Sequence, residues 1–275
     1  MRTNKEQTGV RCLPIVQFDL GRDADLLSGA RPCQRKRMIS VVIPTLNAEE
    51  GLARTLACLV PAAVDGLVRE VIVVDGGSTD HTLVIADGAG VEIIEMEAGR
   101  GAQMKAGAAR ARFPWLLFLH PGAELEPKWA READQFMERI DDGRLSPRGA
   151  TFRFRLDDFG MAPRTIEALL ALRTRLLKLP YGGQGLLIPR RLYDEVGGYR
   201  ALPVMEDVDL ARRLGWRRIV PFASRVVASA TPYRRDGYFK RLLRHQMCLM
   251  LYFLRVPPSK IAGLYSTRRA ALPAE

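Results

Sequence analysis

Two largely apolar runs, each ending abruptly at a turn, constrain this chain most. Ile39–Ile43 stops at Pro44-Thr45-Leu46-Asn47, and Glu70–Val74 stops at Asp75-Gly76-Gly77-Ser78-Thr79-Asp80. Ser40-Val41-Val42-Ile43 is continuous rather than alternating, the pattern of a parallel strand covered on both faces. Ala48 to Val64 then reads as the covering helix, because Leu52, Leu56, Leu59 and Val60 recur at helical spacing. Asn47 or Thr45 is available to cap it, and Glu49 and Glu50 lie near its positive end. The second run repeats the plan, with Ser78 or Asp80 as cap and Leu83, Val84 and Ala86 opening a helix. Val91–Glu95, an alanine-rich helix from Ala102 to Arg112, and Trp115–Leu119 continue the alternation. A parallel, right-handed βαβ sheet over residues 39–125 is the economical reading. In such sheets ligands bind at the carboxyl ends of the strands, where both turns fall.

Asp75 directly follows Val74, so its carboxylate is expected in that crevice, and Gly76-Gly77 lets a ligand approach the backbone closely. Gly99-Arg100-Gly101 opens a helix, which brings free amides and a guanidinium together where an anion would sit. Met205-Glu206-Asp207-Val208-Asp209-Leu210 puts carboxylates at the positive end of another helix, which favours their ionised form. Asp209 is expected to cap that helix or to pair with Arg212 or Arg213.

These motifs, in this order and spacing from about residue 38 to 232, resemble the family 2 glycosyltransferases with the GT-A fold, in a small bacterial branch ending in an aromatic, basic helix pair. The resemblance implies an α/β architecture, a mostly parallel Rossmann-like sheet flanked by helices, with a C-terminal helical extension. It implies transfer of a sugar, with inversion, from a UDP- or GDP-sugar to a hydroxyl acceptor, lipid-linked or free. Pro44, Thr45, Asn47, Glu49 and Asp75 would hold the nucleobase and ribose, and Arg100 and Gly101 would lie near the diphosphate. Gln184 and Gly185, within Tyr181-Gly182-Gly183-Gln184-Gly185, would line the sugar and acceptor pocket. Asp207 would be the base and Glu206 would position it or the acceptor.

The chain departs from the family pattern where the metal site belongs. The resemblance implies an Asp-x-Asp after Trp115–Leu119, binding Mg²⁺ or Mn²⁺ through the diphosphate, but the run here is His120-Pro121-Gly122-Ala123-Glu124. Gly122 supplies no oxygen ligand. Glu124, or His120 with a softer metal such as manganese, would take over the role. Alternatively, Arg100 and Lys105 would neutralise the diphosphate without a metal. A third reading is a nucleotide-sugar-binding protein with weakened or lost catalysis. A sugar nucleotidyltransferase fits less well, because its Gly-rich basic loop would stand where Pro44-Thr45-Leu46-Asn47 does.

With 275 residues, 47% of them hydrophobic, the chain supports one substantial core plus appendages. Residues 1–37 are polar and Arg-rich, lack a signal-peptide apolar segment, and read as a flexible leader. Residues 38–232 are expected to form the GT-A glycosyltransferase domain that the resemblance implies, and 233–275 a C-terminal amphipathic, basic helical tail. No apolar stretch reaches the length of a membrane span. The net charge of +11 is unaccompanied by any nucleic-acid-binding motif, so nucleic acid is not the expected partner. Arg234, Arg235, Lys240, Arg241, Arg244 and His245 stand beside aromatic residues and an apolar run, Met247–Leu254. That pattern suits either a helix at an anionic membrane surface or one packed on the domain with a basic edge. Cys12, Cys33, Cys58 and Cys248 show no metal spacing and read as reduced thiols of a cytoplasmic protein, in solution or peripheral at the inner membrane face.

Overall fold

The structure is a computed structural model and describes residues 37–177 and 182–265. The expected leader, apart from Arg37, lies outside the described residues, as do Tyr181 and the last ten residues of the tail. The first half is β1 (Ile39–Thr45), α1 (Glu49–Val64), β2 (Val68–Asp75), α2 (Thr82–Gly88), β3 (Glu92–Glu95), α3 (Arg100–Arg110) and β4 (Trp115–Phe118). All four strands pair in parallel, in the order β3-β2-β1-β4, as the continuous apolar runs predict. Every residue of β1 is buried, because helices cover both faces of the sheet.

The chain runs outward from β1 through β2 to β3 and then returns to place β4 on β1's other side. That reversal opens a crevice beyond the carboxyl ends of β1 and β4, the topological switch point where open α/β sheets take ligands.

The second half is β5 (Ala123–Leu125), α4 (Trp129–Asp141), β6 (Gly149–Leu156), α5 (Met161–Leu177), β7 (Leu186–Pro189), α6 (Arg190–Glu195), α7 (Glu206–Leu214) and β8 (Ile219–Ala228). Here the sheet becomes mixed, with β7 antiparallel to β4 and β5 antiparallel to β8. Three helices close the described chain: α8 (Thr231–Asp236), α9 (Tyr238–Phe253) and α10 (Pro258–Tyr265). Among the described residues no helix is long and apolar enough to cross a membrane.

Close packing of α3 on β1 and β2 depends on Gly107. A Cβ there would stand 2.4 Å from Val42 Cγ1 and 3.0 Å from Val74 Cγ2. We expect Gly107→Ala to destabilise the fold by roughly 1–3 kcal/mol, the scale of overpacking, read as a lower urea midpoint. An unchanged midpoint would mean that α3 shifts without cost.

The expected capping differs in detail. The residue before α1 is Ala48, which makes no side-chain cap. Instead, Asp80 Oδ2 accepts the Glu49 amide at 3.1 Å, and Thr82 Oγ1 accepts that of Ala48 at 2.8 Å. In return, Glu49 Oε2 accepts the His81 amide at 3.0 Å, just before α2. Asp80 also caps its own helix, accepting from Thr82 N at 3.0 Å. Asn47, in the left-handed region at φ 50°, accepts the Thr79 amide at 2.8 Å, and its own amide donates to Ser78 Oγ. The two loops thus satisfy each other's helix starts crosswise, a pairing that depends on the register of β1 against β2.

α9 packs on the domain through His245, Cys248 and Leu249. The basic residues of α8 and α9 are largely paired within the chain: Arg234 with Asp158, and Arg235, Arg241 and Arg244 with Asp236. Lys240 is exposed. The outer face carries exposed apolar side chains, including Phe239, Leu243, Met250 and Leu254.

Candidate active site

Asp75 ends β2 and is fully buried. Its Oδ1 accepts from Thr45 Oγ1 (2.8 Å) and Ser78 Oγ (2.5 Å), and its Oδ2 from the Gly77 and Ser78 amides (2.9 and 2.7 Å). Burial opposes its ionisation, but these bonds, those from Ser78 foremost, outweigh it and hold the carboxyl below its ordinary range. Asp75 and Thr45 therefore shape the loop from within, while Asn47 is exposed and Glu49 half-buried at its rim.

α3 begins at the residue that carries the charge. Arg100 Nη2 donates to Asp207 Oδ2 at 2.8 Å, and its Nε stands 3.0 Å from Glu206 Oε1. Gly101 makes this meeting sterically feasible: a Cβ on it would lie 2.3 Å from the Arg200 carbonyl oxygen, in the segment leading to α7. Lys105 is exposed on α3 and does not border the cleft described below.

The acid pair starts α7 behind Met205, a left-handed residue at φ 65°, the kind of strained backbone that surrounding structure must hold in place. Burial, followed by the neighbouring Asp207 charge working against Arg100's attraction, raises the Glu206 carboxyl to about 7. The Asp207 side chain is 18% exposed against 4% for Glu206, so Asp207 is the carboxylate that an incoming molecule can reach. Tyr199 Oη, 3.3 Å away, donates to Asp207 Oδ1. Asp209 pairs with Arg213 at 2.6 Å and with Arg200 at 3.3 Å, whereas Arg212 lies over the Tyr252 and Phe253 rings.

These groups border a cleft of about 440 Å³, whose walls include Arg100, the Glu206–Asp207 pair and the His120–Ala123 segment. A small cavity beside it shares Arg100, His120 and Asp207 and reaches Pro44 and Gly185. Gly185 sits at φ +66°, where a Cβ would crowd Leu119 and Phe152. Gln184 is buried and accepts from Thr174 Oγ1 at 3.1 Å, leaving Gly183 to face the cleft.

Its far wall comes from groups the sequence reading did not place in a site: Arg173 of α5, Tyr233 of α8, and Arg241 and His245 of α9. Burial, with Arg241, Arg244 and Arg173 nearby, pushes His245 down to about 3. The unfolded chain therefore takes a proton near pH 6.5 while the folded chain refuses one until far lower, so stability falls as pH drops through that window. We expect a loss of about 1.5 kcal/mol between pH 6.5 and 5 from this group, and His245→Gln should flatten the slope of urea stability against pH. An unaltered slope would assign it to other groups.

The residues present do not suit a divalent cation. Gly122 offers no ligand, and Glu124 pairs with Arg54 at 3.3 Å outside the cleft. His120 is a lone imidazole, held well below its ordinary value by burial and by Arg100. Among the described residues no group of three or more His, Cys, Asp or Glu side chains could hold a metal.

The mixed α/β sheet flanked by helices, with its crevice at the switch point, has the architecture of the GT-A class of glycosyltransferase folds. The sequence profile described as Glycosyl transferase family 2 matches residues 40–201, and the chain belongs to that family. A glucosyl-3-phosphoglycerate synthase of Mycolicibacterium smegmatis is 44% identical over 62 residues, 22% of this chain and 20% of that protein. A PGL/p-HBAD biosynthesis glycosyltransferase of Mycobacterium bovis is 37% identical over 95 residues, covering 30% of this chain and 34% of the other. The chain thus spans only a fifth to a third of the length of these relatives. Among solved structures, S. aureus TarS 1-349 superposes with a TM-score of 0.54 at 19% identity, over 75% of this chain and 63% of that one; this likeness concerns the fold.

Proposed function

We propose that this chain transfers a sugar, with inversion, from a nucleoside-diphosphate donor to a hydroxyl acceptor. The observation that carries this is the Glu206–Asp207 pair opening into the same cleft as His120–Ala123 and Arg100, in a family 2 chain. Asp207 takes the proton of the acceptor hydroxyl as its oxygen forms the new bond to the anomeric carbon. The bond from that carbon to the diphosphate breaks on the opposite face, and the nucleoside diphosphate leaves with the electron pair. Glu206 and Tyr199 position Asp207, Glu206 through the Arg100 guanidinium they share and Tyr199 by its hydroxyl. The base and ribose lie over Pro44, Thr45, Asn47, Glu49 and the loop that Asp75 organises, with Gly101 toward the diphosphate and Gln184-Gly185 behind the sugar. TarS has been crystallised with UDP-GlcNAc, which favours a uridine donor over a guanosine one.

Calorimetric titration with UDP and GDP, followed by measurement of nucleoside diphosphate release from UDP-sugars, tests the reading. Binding with release supports it, and absence of binding overturns it. Binding without turnover on any acceptor supports the second reading, a nucleotide-sugar-binding protein, which Gly122 favours. Release of pyrophosphate would indicate nucleotidyl transfer.

The exposed apolar face of α9, with Phe239 76% and Leu243 70% exposed, supports a cytoplasmic protein peripheral to a membrane that carries a lipid-linked acceptor. Flotation with anionic vesicles tests this, and a protein left entirely in the unbound fraction would overturn it.

A further inference from the structure

We propose that guanidinium groups of the C-terminal half, Arg241 foremost and Arg173 beside it, hold the donor's diphosphate in place of a divalent cation. This rests on the donor reading above. The family pattern places a carboxylate at Gly122, and the backbone there has taken a form suited to glycine, with φ +85°. Volume is not the obstacle, since a Cβ at Gly122 would meet only Gly51 Cα, at 3.7 Å. The loop is instead pinned flat on α1: a Cβ on Gly51 would lie 2.8 Å from Gly122 N and Cα, and the Gly122 amide donates to Thr55 Oγ1 at 2.8 Å. What remains beside the strand end is one imidazole, whereas hard divalent cations want several oxygens.

Topology puts cations opposite this gap. Ala123 of β5 pairs with Ala228 of β8, so the chain leaving β8 passes beside Gly122 and turns directly into α8 and α9. Arg241 and Arg173 border the cleft together with Pro121, Gly122 and Ala123. The Arg241 guanidinium lies 4.9 Å from the Tyr233 ring centroid and donates to Asp236 Oδ2 at 3.0 Å. Its Nε is buried without a hydrogen-bond partner among the described residues. Asp236 serves Arg235, Arg241 and Arg244 at once, so one carboxylate faces three guanidinium groups. The depressed His245 records the same field.

A planar guanidinium on an aromatic ring suits a diphosphate, which accepts paired N–H bonds in fork geometry. When the anomeric bond breaks, negative charge grows on the β-phosphate, and preorganised cations at that spot stabilise it as a metal would. Arg100 is occupied by the acid pair, which leaves this wall as the cationic side of the cleft opposite Gly122.

The test titrates UDP, GDP, uridine and guanosine into the whole chain in EDTA and in Mn²⁺, with Arg241→Gln and Arg173→Gln as variants and a thermal melt for each. For whichever nucleotide binds, we expect affinity in EDTA within about threefold of that in Mn²⁺. Arg241→Gln should weaken the diphosphate roughly 10- to 100-fold while leaving nucleoside affinity unchanged, and Arg173→Gln should act in the same direction. A wild-type chain that binds the diphosphate only with Mn²⁺ overturns the proposal, a result that needs no variant to fold. So does unchanged diphosphate affinity in both variants, including the case where only the acceptor KM rises and the arginines read an anionic acceptor. If neither nucleosides nor diphosphates bind, the donor reading itself has failed, and the proposal with it.

Discussion

Asp207→Asn is expected to leave donor affinity within about threefold and to lower turnover by roughly 10²-fold or more, the scale of a lost general base. The amide keeps the shape, its one oxygen can still accept from Arg100 and its NH2 can donate to the Tyr199 hydroxyl oxygen, but it cannot take the acceptor's proton. Glu206→Gln should behave differently, because the Glu206 carboxyl is almost wholly buried against Arg100. Holding that group permanently neutral weakens Arg100's hold on the pair, so its effect should spread over binding and turnover. Paired measurements of donor titration and nucleoside diphosphate release separate the two, and near-normal turnover of the Asp207 variant would clear that residue of the role.

Asp75→Ala is expected to abolish nucleotide binding and to cost about 2–4 kcal/mol of stability, the scale of leaving several buried donors unpaired. The effect is large because four donors from Thr45, Gly77 and Ser78 converge on this one buried carboxylate. Urea unfolding and UDP titration measure both parts. Unchanged binding would remove Asp75 and its loop from the nucleobase site.

The first half of the sheet was legible because β1, β2 and β4 are buried on both faces, and burial of that kind writes itself as unbroken apolar runs. The helix-opening position of Arg100 was legible too, from the glycines around it. Its partners were not, since a separation of 107 residues between Arg100 and Asp207 leaves no local signal of their meeting. The buried state of Asp75 was hidden for a similar reason: a carboxylate after a strand reads alike whether it faces a ligand or gathers its own loop. Arg173 goes unremarked in the sequence, and Arg241 and His245 read there as a membrane-facing or solvated basic edge, because all three lie on ordinary amphipathic helices, where a basic residue reads as surface. The antiparallel pairing of β5 with β8 brings Arg241 and His245 of α9 to the strand ends, and pairing between distant short strands leaves little trace in the sequence.

The crosswise bonding of the β1–α1 and β2–α2 loops makes Glu49, Asp80 and Thr82 a single mechanical unit. Substitutions there should not add. Once Asp80→Ala frees the start of α1, a second change at Thr82 finds part of its contribution already gone, and a double-mutant cycle should register a coupling energy of order 0.5–1 kcal/mol or more. Two loops that fail together also order together, so if the proposed donor's base settles between them, little conformational entropy is left to lose and association there should be fast and limited by encounter.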